Sequence, residues 1–253
     1  MVEIIISKTE GFYDGAKMIQ QGLKDRDISC QITLIENISI NSWDSEKNQS
    51  KIIYFLTNTN ELGIHAMHYL STGAEVINQD FLICQRDKYS IQDRLLQAQV
   101  QIPANFYSSD KKEILSASSN ISYPLYIKSQ QQAKQVYQIK RSDQLSSLLE
   151  NIKDLTDWYM EKDVKTEKTN LYKVYYIAGN YHCNKKIELR VKNIQNILET
   201  ISTILHLDIF SIDIIANKQK SWIIDVNPAS SFFKTETGRE DFIEYLTKLY
   251  SQS

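Results

Sequence analysis

Glycine and proline are scarce, at seven and three in 253 residues. That composition excludes collagen-like and low-complexity architectures. Any loop that holds phosphate must also do so with few residues that permit close backbone approach. Cysteine is equally thin. Cys30, Cys84 and Cys183 lie far apart with no CxxC pair, so neither a disulfide framework nor a zinc site is expected. Neither charge is in excess: 29 Lys and Arg face 31 Asp and Glu, a net charge of −2. A nucleic-acid binder carries a basic surplus, so no nucleic-acid partner is expected. No apolar stretch approaches the ~20 residues of a membrane span, and no membrane partner is expected. The opening Met1–Ile6 contains Glu3 and is too short to be a secretory signal. It reads as a first buried strand of a cytoplasmic protein with reduced thiols. His65 and His68 stand about one helical turn apart with no carboxylate at metal-site spacing, which places them on a helix surface.

What is present is ordinary globular material, 42% hydrophobic and 24% charged. The length suits two or three small lobes. Strand-like runs at Glu3–Ser7, Cys30–Ile35 and Lys51–Thr57 alternate with helical spacing over Gly15–Leu23 and Asn60–Leu70, a parallel α/β pattern. Asn78–Val100 reads as helix, ended by Ile102-Pro103 and an extended segment. Tyr123–Lys128 and Val136–Ile139 follow as a strand pair, then a helix at Arg141–Asn151 with Ser142 as N-cap. Short strands are expected at Asp157–Glu161, and at Leu171–Ala178 with Tyr181–Cys183 around the turn Gly179-Asn180. A helix at Asn193–Leu205, strands at Phe210–Ala216 and Ser221–Val226, and an amphipathic helix at Glu240–Tyr250 complete the chain.

Chemistry concentrates near the C-terminus. In Ser211-Ile212-Asp213-Ile214-Ile215 and Ile223-Ile224-Asp225-Val226-Asn227-Pro228, polar residues interrupt apolar strands. Asp225 and Asn227 are two apart, so they share a strand face. A lone carboxylate among isoleucines is costly unless paired. Asp213, Asp225 and Asn227 together make an oxygen-only donor set, which suits Mg²⁺ bridging ATP phosphates rather than zinc. Lys88 precedes a helix, Lys128 ends a strand, and Lys173 lies within one. With the acidic residues these cations describe a nucleotide cleft.

The order Arg86-Asp87-Lys88-Tyr89, Ile102-Pro103, Tyr126-Ile127-Lys128, Tyr159-Met160-Glu161, Leu171-Tyr172-Lys173-Val174 and Ile224-Asp225-Val226-Asn227-Pro228 resembles the ATP-grasp superfamily from about Asn78 onward. The resemblance implies a mixed α/β and α+β architecture: an N-terminal Rossmann-like lobe over 1–82, a first ATP-grasp lobe with its linking helix over 83–160, and a C-terminal ATP-grasp lobe over 161–253. It implies ATP and Mg²⁺ (magnesium) as cofactors. Lys88 and Lys128 match the lysines that hold nucleotide phosphates, and Glu161, Lys162, Asp163 and Val164 match the hinge that faces adenine. Lys173, an inward charge within its strand, is counted with the nucleotide-binding cations, and Asp213, Asp225 and Asn227 match the metal ligands. Asp225 stands where most ligases carry Glu. The stretch Ser129–Gln135 lacks the usual glycines of the phosphate flap, and Leu171 occupies a position that is often acidic.

Most of the superfamily, including glutathione synthetases and ribosomal-protein glutamate ligases, joins a carboxylate to an amine through an acyl phosphate. By that resemblance Arg190 and Lys173 are candidate catalytic cations and Ser230 and Ser231 candidate substrate residues. The partner is a small-molecule or peptide substrate, and a homodimer fits the relatives. The inositol tris/tetrakisphosphate kinases share the fold and resemble Leu171–Val174 and the Asp-x-Asn motif. Their His-Lys pair is replaced by Phe55-Leu56-Thr57 and their Arg-Pro-Ser motif by Asn184-Lys185-Lys186, so the ligase reading leads. A nucleotide-binding module with little catalysis is the third reading, motivated by the glycine-free flap.

Overall fold

A computed structural model describes residues 1–8, 11–38, 50–57, 62–84, 87–129, 136–152, 158–183, 193–217, 219–229 and 231–252. Three four-stranded sheets succeed one another along the chain.

The first is parallel, built from β1 (Val2–Ile6), β2 (Cys30–Leu34), β3 (Ile52–Leu56) and β4 (Glu75–Val76) in the order β2-β1-β3-β4. Its two central strands, β1 and β3, are buried throughout because helices cover both faces. On one face Ile4, Ile6 and Tyr54 pack with α1 (Tyr13–Lys24) and the C-terminal α8 (Glu236–Gln252). On the other, Ile5, Ile53 and Phe55 pack with α2 (Leu62–Ser71). Glu3 is buried here, and Thr33, Gln31 and Ser50 donate to its carboxylate.

The second sheet is antiparallel. It comprises β5 (Asn105–Tyr107), β6 (Leu125–Ser129), β7 (Val136–Ile139) and β8 (Trp158–Lys162) in the order β5-β8-β6-β7. Leu125, Ile127 and Met160 point to a core shared with α5 (Lys111–Ile121) and α6 (Ser142–Asn151). Strand alternation sends Tyr126, Lys128, Tyr159 and Glu161 to the opposite face.

The third sheet, also antiparallel, runs β10-β9-β11-β12, with β9 (Asn170–Ile177), β10 (Asn180–Cys183), β11 (Ile209–Ala216) and β12 (Ser221–Asn227). Tyr172, Val174, Phe210, Ile212 and Ile214 face α7 (Ile194–Leu205) and α4 (Lys88–Gln97) in one core. The residues between them face away from those helices.

Several expectations change. Asn78–Val100 is two helices, α3 (Gln79–Cys84) and α4, because Asp87 caps α4 by accepting from Ser90 N at 2.7 Å. The segment after Pro103 holds β5 and α5 rather than extended chain alone. Its serine-rich stretch hides the helical period, while Asp110 caps the start and Ile114 supplies a core anchor. The N-cap of α6 is Arg141, with no side-chain cap, and Ser142 is already helical. α8 starts at Glu236, four residues ahead of the expected Glu240. His65 is buried at 2% exposure, not on a helix surface, since α2 is apolar around most of its circumference.

Asn78 and the turn after β12 are among the contacts that join the first and third sheets. Asn78, at φ +60°, donates to Ile209 O at 2.7 Å and accepts from Asp208 N at 2.8 Å and Ile209 N at 3.2 Å. Beyond β12 the turn Phe232–Lys234 inserts Phe232 against Tyr54 and Phe242. Phe233 lies so close to α1 that a Cβ on Gly15 would fall 2.3 Å from its Cδ2.

Candidate nucleotide and metal site

The face of the third sheet turned away from α7 and α4 is organised in rows across its strands. Leu171 of β9 is the register partner of Ile215 of β11. Lys173, Asp213 and Asp225 make the next row, as successive partners on β9, β11 and β12. The row after that is Tyr175, Ser211 and Asn227. Two residues of strand separate neighbouring rows, about 7 Å.

A β-bulge shapes the first row. Register shifts between Asp213 and Ile214, so that Asp213 pairs with Asp225 while Ile214 pairs with Ile223. Ile224 is therefore the extra residue. Ile223 and Val226 remain in the helix-side core, whereas Ile224 joins the cleft wall with Leu171 and Ile215. The second sheet closes the other wall with Tyr126, Lys128 and Val136, and the segment Glu161–Lys165 forms its end. The cleft between the sheets holds about 250 Å³. Its apolar walls suit a flat heteroaromatic ring.

Three of the lysines predicted for the site, Lys88, Lys128 and Lys173, each meet a carboxylate. Lys88 Nζ lies 2.9 Å from Asp225 Oδ1, Lys173 Nζ lies 3.2 Å from Asp213 Oδ1, and Lys128 pairs with Glu161. Glu161 is 2% exposed. Burial pushes its carboxyl up, with Lys128 pulling the other way. Burial likewise raises Asp213, opposed by Lys173 and reinforced by the charge of Asp225. Tyr159 is held well above its ordinary range by burial and by Glu161 and Asp225.

Other predicted residues behave differently. Val164 lines the cleft. Lys162 also borders it, but its ammonium donates to Ser122 O, Ser122 Oγ and Tyr123 O, tying β8 to the turn before β6. Asp163 accepts from Gln138 Nε2 at 2.7 Å and Lys165 N at 2.8 Å, which braces the hinge. Asn227 Oδ1 accepts from Ala229 N at 3.0 Å, leaving one lone pair. Ser231 Oγ stands 3.4 Å from Tyr175 OH. Arg190 and Ser230 lie outside the described residues. Tyr126, Ile215 and Ile224 were missed as cleft residues; the doublet Ile223-Ile224, which breaks alternation just before Asp225, was the available signal.

The donor set fits magnesium by its chemistry. Asp213 and Asp225 offer hard carboxylate oxygens on adjacent strands, next to the amide of Asn227. Among the described residues, no group of three or more His, Cys, Asp and Glu forms a metal cluster. A cation here would therefore draw its remaining ligands from water or phosphate, as Mg²⁺ commonly does.

A helix-backed parallel sheet followed by two antiparallel sheets that enclose a cleft is the ATP-grasp fold, and this chain has it. Three solved structures illustrate the likeness. A RimK domain ATP-grasp protein from Sphaerobacter thermophilus DSM 20745 superposes at TM-score 0.80 with 10% identity, over 97% of this chain and 99% of that one. The ATP-grasp ligase PsnB, complexed with minimal precursor, Mg and ADP, gives 0.72 at 11% identity, over 98% and 96%. D-alanyl-alanine synthetase A from Vibrio cholerae O1 biovar eltor str. N16961 gives 0.72 at 11%, over 99% and 97%. No protein-family model and no curated protein sequence matches the chain.

Proposed function

We propose that this chain is an ATP- and Mg²⁺-dependent ligase that joins the carboxylate of an amino acid, peptide or small acid to an amine. The observation that carries the reading is the row Lys173–Asp213–Asp225, on the cleft face directly beside an apolar pocket. The order along the strands matches a nucleotide lying lengthwise: ring, then phosphates, then acceptor. Solved neighbours of the same fold include a peptide-precursor ligase and D-alanine–D-alanine ligases, which supports ligation over other phosphoryl transfers.

In this reading residues 1–82 cover the acceptor end, while lobes 83–160 and 161–253 grip the nucleotide. Leu171, Ile215, Ile224 and Val164 bury the adenine, and Glu161–Val164 presents hinge backbone to its edge. Lys88 and Lys128 hold phosphate oxygens. Asp213, Asp225 and Asn227 would hold Mg²⁺, which when bound neutralises charge on the phosphates. A substrate carboxylate oxygen attacks the γ-phosphorus and ADP departs, forming an acyl phosphate. The amine then attacks the acyl carbon, inorganic phosphate leaves, and the amine gives up a proton. The chain needs no nucleophile of its own, since positioning and charge stabilisation carry the reaction. Lys173, Arg190, Ser230 and Ser231 are the residues proposed to orient the carboxylate.

Hydroxylamine trapping tests this. With ATP, Mg²⁺ and mixtures of amino acids or peptides, ADP release should rise together with hydroxamate. ADP release stimulated only by inositol phosphates, without hydroxamate, would replace the ligase by a hydroxyl kinase. ATP binding without turnover in either case would leave a nucleotide-binding module.

A further inference from the structure

The carboxylate of Asp163 gathers donors from three parts of the cleft wall. Gln138 Nε2 on β7 donates to Oδ2 at 2.7 Å, and Lys165 N donates to Oδ1 at 2.8 Å. Tyr126 on β6 supplies the third. Tyr126 and Gln138 are register partners, and Gln138 Nε2 also stands 3.5 Å from the Tyr126 hydroxyl. The phenol is held above its ordinary range by burial, by the charge of Asp163 and by its own hydrogen bond to that carboxylate. Asp163 is 7% exposed, so water substitutes poorly for a lost donor.

The place of Asp163 in the chain gives these bonds their use. Strand pairing between β6 and β8 ends at Lys162. The Lys162 ammonium goes to Ser122 and Tyr123, and Asp163 N donates to Pro124 O at 3.1 Å. The bond from Lys165 N back to the Asp163 side chain makes a tight turn over the residue between them. That residue is Val164, which lines the cleft together with Tyr126. One acid thus fixes two parts of the ring pocket, Val164 through the backbone and Tyr126 through its hydroxyl.

Resting on the reading of this pocket as the seat of a nucleotide base, we infer that Asp163 is a positioning residue that shapes the pocket through Tyr126 and Val164 without touching the nucleotide. A carboxylate offers about four acceptor positions, and Gln138, Lys165 and Tyr126 already use three of them. Reading an amine or a sugar hydroxyl directly would cost about one of these bonds for each one made. Holding the wall carries no such exchange. A pocket whose shape is already set loses less conformational freedom when the ring enters.

Calorimetry of the full chain with ATP and with inorganic tripolyphosphate, both in Mg²⁺, separates the ring from the phosphates. Wild-type protein is expected to bind ATP at least tenfold more tightly than tripolyphosphate. Asp163→Ala should weaken ATP at least tenfold and leave tripolyphosphate within twofold, an asymmetry that a general loss of structure would not give. Tyr126→Phe keeps the ring and loses the tie. Alone it should weaken ATP at least threefold, and in the Asp163→Ala background by less than twofold. An equal effect of Tyr126→Phe in both backgrounds overturns the inference, as does ATP affinity unchanged by Asp163→Ala or a parallel loss of both ligands. Should Asp163→Ala fail to fold, Gln138→Leu takes its place, with a threefold loss expected for ATP alone and the same outcomes against it. Wild-type protein that binds the two ligands alike overturns the inference by itself. No binding of ATP at all removes the nucleotide reading together with it, a different result.

Discussion

Asp213 and Asp225 are direct register partners on adjacent strands, and each is paired with a lysine from a different element. Replacing Asp225 with Asn deletes one of two carboxylates from the metal set and also relieves their mutual repulsion. Mg²⁺-dependent turnover should fall at least a hundredfold, a loss of about 2.7 kcal/mol or more. The thermal midpoint should stay within a few degrees of wild type. Near-normal turnover in Asp225→Asn would remove the metal assignment.

Burial raises the carboxyl of Asp213 more than Lys173 lowers it. A raised acid contributes stability that is fully present below its unfolded value and lost as pH climbs through the folded one. At neutral pH the folded state therefore bears a cost that Asp213→Asn does not. In EDTA that variant should melt higher than wild type at pH 7, by about 2 °C. The advantage should close as pH falls into the ordinary aspartate range. A midpoint difference that does not vary with pH would contradict this account.

Ile224 reaches the cleft wall only because of the bulge opposite Asp213 and Ile214. Truncation to Ala removes apolar surface against the bound ring at about 0.8 kcal/mol per methylene-sized group. ATP affinity measured by calorimetry should weaken about tenfold with little change in folding. Unchanged affinity would place the adenine elsewhere.

Asn78 imitates a strand partner for the start of β11 while holding a left-handed backbone. Asn78→Ala loses those bonds and disfavours that φ, at a combined cost of about 2–4 kcal/mol. Asn78→Gly restores the backbone freedom but not the bonds. Denaturant unfolding should rank wild type above Gly and Gly above Ala; equal stability of all three would show that the bonds carry no net weight.

Much of the architecture was legible in the sequence because it rests on alternation. Strand alternation and the register Asp213↔Lys173 put Lys173 and Asp213 on one face whatever the details of packing. The order of the lysines and acids along the chain pointed to Lys88, Lys128 and Lys173, each of which the fold pairs with a carboxylate. Long-range geometry was not legible. A bulge is a register event between two strands, and its trace in one of them is only the doublet Ile223-Ile224. The capture of the Lys162 ammonium by Ser122 and Tyr123 depends on a turn forty residues upstream. α5 was hidden because its serines resemble loop composition until Ile114 finds its core.

The wedge of Phe232 and Phe233 bears on how the chain can be divided. Five residues after Asn227, the backbone is pinned among Tyr54, Phe242 and the glycine notch of α1. Residues 1–82 are thus no detachable appendage. Cutting them away would uncover two phenylalanines and cast loose the strand end that bears Asn227.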